Sequence, residues 1–214
     1  MHPPQPNLRE CPRTFSALST LQKSRWQKIA RRIRVPLGFA VAAIFLVFAA
    51  PTLRSLAWGL PLVLWGLWLR GYAAGYVKKN SELTQTGPYA YTRNPLYLGS
   101  MALAAGFAVA AGAISTARWW LLVLLVAMFL AVYLPTIFSE EAFLRATFPE
   151  FDEYARSVPR LLPRLTPARS AASNQQAGRF APERYRHHRE YNAFIGAAAI
   201  YAVLALRMAL GHRL

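Results

Sequence analysis

The chain contains very few cysteines and very few acidic residues. Cys11 is the only cysteine in 214 residues, which excludes an intrachain disulfide, a cysteine-based zinc site and an iron–sulfur cluster. Nine Asp and Glu residues stand against 25 Lys and Arg residues, giving a net charge of +16. A strongly basic balance is typical of nucleic-acid binding, but the positive charges here fall in separate loops rather than along one soluble domain. No nucleic-acid partner is therefore expected.

Apolar residues make up 55% of the sequence and are concentrated in long blocks. Each block approaches the roughly 20 residues that cross a bilayer core. The sequence therefore predicts an all-α, polytopic membrane protein with about five transmembrane helices. The third and fourth blocks are separated by only four residues, which predicts a tight antiparallel hairpin. The predicted spans are Val35–Leu53, Leu56–Val77, Leu96–Ile114, Trp119–Phe138 and Ala193–Leu210.

The distribution of Lys and Arg predicts the orientation of these spans. Basic residues are dense before residue 35, in the loop from Lys78 to Pro95 and between residues 139 and 191, whereas the other loops and the tail carry one each. The positive-inside rule places the dense segments in the cytoplasm. The N-terminus is then cytoplasmic, and an odd number of spans puts the C-terminus on the opposite side.

Composition divides the chain into four parts. Residues 1–34 form a basic arm in which Trp26, Ile29 and Ile33 recur at helical spacing, as in an amphipathic helix at the membrane surface. Anionic lipid headgroups are its expected partner. The alternative is that these charges only set the topology of the protein, and the two roles are compatible. Residues 35–164 form the membrane-embedded core. Residues 165–190 form a cytoplasmic linker and charged collar, and residues 191–214 a last transmembrane helix.

The segment from Thr86 to Gly99 joins a turn, a charge and a helix start. Gly87-Pro88 predicts a turn, and Asn94-Pro95 has the order of a helix N-cap followed by proline in the first turn. A helix N-terminus with Arg93 beside it attracts a carboxylate or phosphate. The alternative is that Asn94 only caps the helix and Arg93 only marks the cytoplasmic side.

Two adjacent glutamates follow the fourth predicted span. Glu140 and Glu141 point about 100° apart on a helix, so they cannot both face one ligand atom. One is expected to face a cationic ligand while the other supports the scaffold. The alternative for Glu141 is a surface pair with Arg145 at i,i+4 spacing.

These motifs, in this order, resemble those of membrane-embedded methyltransferases of the isoprenylcysteine carboxyl methyltransferase and phospholipid methyltransferase superfamily. The resemblance covers about half of the chain. It implies S-adenosylmethionine bound at the cytoplasmic face; no glycine-rich fingerprint of a soluble methyltransferase is present. The motifs are Gly87-Pro88-Tyr89, Arg93 to Gly99, Glu140-Glu141, Phe148 to Tyr154 and Val158-Pro159-Arg160 with Pro163. The implied cofactor-binding residues are Tyr89, Asn94, Pro95, Tyr97, Leu98, Gly99, Glu140 and Glu141.

The resemblance also implies arginines that act on the methyl acceptor. Arg93 occupies its family position, whereas Arg156 and Arg160 flank the place of an arginine that orients prenylcysteine substrates. The family commonly has histidine where this chain has Asn94. A carboxylate needs no proton removal before it attacks a sulfonium, whereas an ammonium does, so carboxyl O-methylation of a lipophilic acceptor is favoured. N-methylation of an amino lipid and a non-catalytic scaffold are the alternatives.

The second predicted span carries an aromatic face for the lipophilic part of that acceptor. Trp65, Trp68, Tyr72 and Tyr76 are spaced to share it. The alternative is ordinary helix packing through Gly71 and Gly75. Arg70 in the same span is expected to reach the interface or face the site. His187-His188 has no supporting ligands at suitable spacing, so no metal site is expected.

Overall fold

A computed structural model of the chain describes residue 40 and residues 43–77, 82–113, 119–168, 180–187 and 190–211. The predicted basic arm, the tip of the predicted hairpin and most of the linker lie outside these residues. The described part is helical and contains no strand. Residues 43–48 form a short helical stretch. The longer helices are α1 (Leu53–Tyr76), α2 (Pro95–Ala110), α3 (Trp119–Thr147), α4 (Phe151–Ser157), α5 (Pro182–His187) and α6 (Tyr191–Gly211), with a 3-10 turn at Gly87–Ala90.

Helices α1 and α2 pack against each other through glycines. A Cβ placed on Gly59 would lie 2.5 Å from the carbonyl oxygen of Gly106, and one on Gly66 would lie 2.7 Å from the carbonyl oxygen of Gly99. These separations are shorter than the van der Waals contact between carbon and oxygen allows. The two backbones can therefore approach this closely only because Gly59 and Gly66 have no side chains. The two glycine pairs fix the distance between the helices and the level of the first turn of α2 beside α1.

Helix α3 runs antiparallel to α2. Near the hairpin tip, Ala108 and Leu121 belong to one buried cluster. At the other end, the Tyr97 ring meets Tyr133, with centroids 5.4 Å apart. The start of α2 therefore lies beside the end of α3, as the predicted hairpin requires.

Helix α4 covers the polar end of this hairpin. Phe151, Tyr154 and Val158 form a buried cluster against which Leu83 and Phe148 pack. The chain then continues through 158–168, a proline-containing segment without regular structure. We call it the proline segment; it returns toward the start of α2.

The C-terminal part of the chain docks onto α1. The rings of Phe180 and Tyr185 lie over Gly75 and Gly71, where an added Cβ would approach them to 2.2 and 3.2 Å. The sequence interpretation of Gly71 and Gly75 as a helix-packing motif left the partner open, and the structure shows that the partner is the segment around α5. Aromatic rings from this segment occupy the space that side chains at these two positions would fill.

Two arginines fasten α6 to the rest of the molecule. Arg70 on α1 pairs with Glu190 at the start of α6, with Nε–Oε2 and Nη2–Oε1 distances of 3.1 and 3.0 Å. Near its other end, Arg207 donates to the main-chain carbonyls of Leu46 and Val47. Arg70 in α1 and Arg207 in α6 thus have specific partners, and α6 is held against the rest of the molecule near both of its ends.

Two described helices are long and apolar enough to cross a membrane, namely α3 and α6. Most of their residues are exposed in the molecule, as expected of surfaces that face lipid. Helix α2 is apolar but has only 16 residues, and α1 falls outside the same criterion. The all-helical fold and the membrane association are thus supported, whereas the number of five spans and their orientation stay predictions.

Candidate active site

The site begins where the loop before α2 meets the proline segment. The Arg93 amide donates to the Pro159 carbonyl at 2.9 Å, and the Arg164 amide donates to the Tyr91 carbonyl at 2.9 Å. From α4, the buried Tyr154 hydroxyl donates to the Tyr89 carbonyl at 2.8 Å. Two sequence motifs about 65 residues apart are thereby joined, mainly through main-chain groups.

Asn94 has a different role from the one its position suggests. It is the N-cap residue of α2 and Pro95 is in the first turn, as predicted, but among the described residues no side chain caps this helix. The Asn94 amide instead donates to the Arg160 carbonyl at 2.9 Å. The buried Thr92 hydroxyl donates to the neighbouring Leu161 carbonyl at 3.1 Å. Asn94 therefore holds the proline segment and leaves the helix N-terminus uncapped.

Glu141 is the centre of the charged cluster. Its residue is only 5% exposed, and its carboxylate accepts from Arg160 at both oxygens, from Nε at 2.9 Å and from Nη2 at 2.8 Å. Nη1 of Arg93 lies 3.1 Å from the same carboxylate. The alternative of a surface pair between Glu141 and Arg145 was wrong, because Arg145 pairs with the exposed Asp152. One buried anion thus serves two cations, and the cluster keeps a net positive charge.

The environment acts differently on the ionisable groups of this cluster. Burial lowers the pKa of Arg93, although the carboxylate of Glu141 opposes this effect. The hydrogen bonds that Arg160 donates to the Glu141 carboxylate raise the pKa of Arg160. Burial raises the pKa of both the Tyr89 and the Tyr154 hydroxyl. The arginines therefore act as fixed cations and the two tyrosines as neutral hydroxyls.

Glu140 lies on a different side of α3, as the 100° spacing predicts. Its carboxylate is exposed and accepts from the Tyr97 hydroxyl at 2.9 Å. The Tyr133 ring packs edge-on to Tyr97 and stacks on Phe129 with a centroid distance of 4.6 Å. An exposed carboxylate beside aromatic rings is a suitable environment for a cation.

The structure places most of the predicted site residues around the start of α2. Arg93, Asn94, Pro95, Tyr97, Leu98, Gly99, Glu140, Glu141 and Arg160 come together there. Tyr89 is buried beneath them. Arg156 lies on the exposed side of α4, whereas the ion-pair partners of Glu141 among the described residues are Arg93 and Arg160. The functional roles of these residues stay predictions.

Sequence reasoning missed three side chains of the site. Thr92 and Tyr133 were not singled out, nor was Phe138, whose ring lies under the Arg160 guanidinium at 4.6 Å. Tyr133 precedes Glu140 by seven residues, two helical turns, and this spacing was the available signal. For Thr92 and Phe138 the sequence offers no local signal, because their partners lie in the proline segment.

Comparison with known proteins finds a family model that matches this part of the chain. Residues 53–150 match the family model of phospholipid methyltransferase. This match includes α1, α2, α3 and the loop with Arg93, but ends before the proline segment, α5 and α6.

Two curated relatives are similar to about half of the chain. The nickel-cobalt-cadmium resistance protein NccN of Alcaligenes xylosoxydans xylosoxydans is 36% identical over 107 residues, 50% of this chain and 47% of the relative. The cobalt-zinc-cadmium resistance protein CzcN of Cupriavidus metallidurans is 38% identical over 100 residues, 47% of this chain and 43% of the relative. The chain thus spans less than half the length of either relative in these matches. No solved structure matches the chain.

The matched segment contains the glycine-paired helices and also Arg93, Glu140 and Glu141, whereas Arg160 lies beyond it. This agrees with the resemblance that the motifs indicated. Residues 53–150, somewhat less than half of the chain, are therefore similar to the phospholipid methyltransferase family, which is part of the superfamily of membrane methyltransferases that also includes the isoprenylcysteine carboxyl methyltransferases.

Proposed function

We propose that the chain is an integral membrane methyltransferase that uses S-adenosylmethionine and methylates the carboxylate of a lipophilic, isoprenylcysteine-like acceptor. Arg93 carries this proposal. Its Nη1 pairs with Glu141, but its buried Nε has no hydrogen-bond partner among the described residues. A buried N–H that lacks an acceptor is costly, so a ligand carboxylate at this position would stabilise the site.

The residues around Arg93 fit the charges of the proposed cofactor. The uncapped start of α2 suits the carboxylate of its methionine part, because free N–H groups and the helix dipole favour an anion there. Glu140 suits the ammonium group, and the Tyr97 and Tyr133 rings suit a sulfonium cation. In the proposed five-span arrangement, these groups face the cytoplasm.

The proposed reaction needs positioning more than proton transfer. S-adenosylmethionine supplies a methyl group on a sulfonium, and its transfer to a carboxylate oxygen breaks a carbon–sulfur bond, forms a carbon–oxygen bond and leaves a neutral thioether. Because a carboxylate is ionised at neutral pH, the chain does not have to remove a proton. Its contribution is to hold the acceptor carboxylate in line with the methyl group. Asn94 in place of the family's histidine is compatible with this chemistry.

N-methylation of an amino lipid is the second candidate. The name of the matched family points to it, and the exposed carboxylate of Glu140 offers a proton acceptor beside Tyr97. The names of the two relatives state resistance to metal ions and do not state a reaction, so they favour neither acceptor.

Cofactor binding is tested by calorimetric titration of the detergent-purified protein with S-adenosylhomocysteine. The Glu140→Gln variant is expected to lower the affinity about tenfold or more, because it removes a charge-assisted contact to the ammonium group. Glu183→Gln changes an exposed acid on α5 and is the matched control. Failure of the well-folded native protein to bind would contradict the proposal and favour the non-catalytic scaffold.

Replacing Arg93 with lysine distinguishes the two acceptors. We expect carboxyl methylation to fall on the order of 100-fold in kcat/KM, because lysine lacks the planar pair of donors that binds a carboxylate. An amine acceptor would be affected much less. The matched control is Arg145→Lys, since Arg145 forms an exposed pair with Asp152 away from the cluster. Equal activity of the Arg93→Lys variant and native protein toward N-acetyl-S-farnesylcysteine would contradict a carboxylate clamp.

A further inference from the structure

A cavity of about 620 Å³ lies between α1 and the C-terminal part of the chain. One wall comes from α1, with Leu64, Leu67, Trp68 and Tyr72, and the other includes Phe180 and Phe194. Its size is that of a site for a small molecule or a lipid-sized chain, since such sites measure roughly 300–1,000 Å³. The lining is almost entirely apolar and aromatic.

The opposite wall lies outside the segment that matches the methyltransferase family. Phe180 precedes α5 and Phe194 belongs to α6, whereas the family match ends at residue 150. Phe180 stacks on Tyr72 with centroids 6.3 Å apart, and its ring fills the space over Gly75. The cavity is therefore formed between a helix inside the matched segment and residues that lie beyond it.

Arg70 links the cavity to α2, the helix at whose start the candidate active site lies. Glu190 is the charged residue that lines the cavity, and Arg70 engages both oxygens of that carboxylate. The same guanidinium donates to the Ser100 hydroxyl on α2 at 2.6 Å. Ser100 follows Pro95 by five residues, so one ion pair separates the cavity from the helix that begins the candidate cofactor site.

The chemistry of the cavity favours a hydrocarbon chain over a charged ligand. The carboxylate of Glu190 is already neutralised by Arg70 and is mostly buried. Leu64, Trp68 and Phe194 are more than half exposed at its outer edge, on surfaces that also include the apolar helix α6. A chain entering from the bilayer would cover these apolar groups and gain free energy in proportion to the area it buries.

We propose that this cavity binds the hydrocarbon chain of the methyl acceptor and that Phe180 and α6 determine which chain length is accepted. The proposal rests on the proposed function for the identity of the ligand. Two of the four residues of the aromatic face predicted on the second span, Trp68 and Tyr72, line the cavity, and the C-terminal part of the chain supplies its opposite wall. The test below distinguishes this ligand from an ordinary bilayer lipid that occupies the same cavity.

The test uses N-acetylcysteine thioethers that carry geranyl, farnesyl or geranylgeranyl chains. Leu64→Trp fills the outer part of the cavity, so the KM for the farnesyl compound is expected to rise about tenfold, the effect of excluding about two methylene groups. The increase should be larger for geranylgeranyl and smaller for geranyl. Phe194→Ala opens the cavity and should shift preference toward the longer chain. Leu62→Trp is the matched control, because Leu62 is exposed on α1 and does not line the cavity.

Photolabelling with a farnesyl diazirine gives a readout that does not depend on activity. Labelled peptides from α1 and α6, lost in Leu64→Trp and reduced by excess farnesyl compound but not by phosphatidylglycerol, would support the proposal. Equal competition by phosphatidylglycerol would overturn it in favour of a bilayer lipid. Labels elsewhere, or identical chain-length profiles in Leu64→Trp and Leu62→Trp, would also overturn it. Failure of the native protein to bind S-adenosylhomocysteine would refute the proposed function. Binding of S-adenosylhomocysteine without labelling of the cavity would refute only this inference.

Discussion

Replacing Glu141 with glutamine is expected to reduce the free energy of unfolding by about 3–5 kcal/mol, the usual cost of removing one partner from a buried ion pair. The glutamine keeps the size of the side chain but loses the charge that serves both Arg93 and Arg160. Arg160 is about two-fifths exposed and can turn to water, whereas Arg93 is largely buried. Most of the cost therefore comes from leaving Arg93 without its anion.

Thermal unfolding in detergent measures this effect. We expect the apparent Tm of Glu141→Gln to fall on the order of 10 °C, given roughly 2–4 °C per kcal/mol for a chain of this size. Glu140→Gln is the control, because Glu140 is exposed and its described contact is to Tyr97. An unchanged Tm in Glu141→Gln would show that the cluster does not stabilise the fold.

Replacing Gly66 with leucine is expected to separate α1 from α2. Even the first added carbon would lie 2.7 Å from the Gly99 carbonyl oxygen, and the obstacle is main chain rather than a flexible side chain. Overpacking of this kind costs 1–3 kcal/mol or more, and relief requires the helices to move apart. Gly99 belongs to the first turns of α2, so the start of that helix would move away from Glu140 and Glu141.

Paired substitutions separate this effect from the general effect of adding a side chain. Gly196→Leu is the control, since an added Cβ on that residue of α6 meets nothing within 4 Å. Gly66→Ala provides a milder variant in case Gly66→Leu does not fold. Both Gly66 variants should lose thermal stability and S-adenosylhomocysteine affinity together, and Gly196→Leu should lose neither. Equal stability of Gly66→Ala and native protein would contradict the close packing.

Local signals predicted the parts of the candidate site that depend on neighbouring residues. Asn94-Pro95 marked the start of α2, and the adjacency of Glu140 and Glu141 showed that their side chains diverge. Nothing local indicates which acid becomes buried, because the decision lies with an arginine 19 residues further along the chain. The sequence thus located the acidic pair but left the role of each member open.

The contacts that the sequence left open or misassigned have the same physical origin. Asn94 looks like an ordinary cap until the proline segment, 66 residues away, offers the Arg160 carbonyl to its amide. Gly71 and Gly75 have the spacing of a helix–helix motif, but the spacing does not state which partner fills the gap. Arg70 likewise finds Glu190 at a separation of 120 residues. Which residues meet over such sequence separations depends on how the helices assemble. The periodicity of residues along one helix carries no information about that assembly.

The hydrogen bonds between the loop before α2 and the proline segment impose an order on assembly during synthesis. Helices α1 and α2 are near neighbours in the chain and have their glycine contacts available as soon as both have emerged. Arg93 can form its contacts with Glu141 and with the Pro159 carbonyl only later, after the ribosome has added those residues. A chain interrupted before the proline segment can therefore have paired helices but no completed charged cluster, so the candidate site matures only after the helices that carry it.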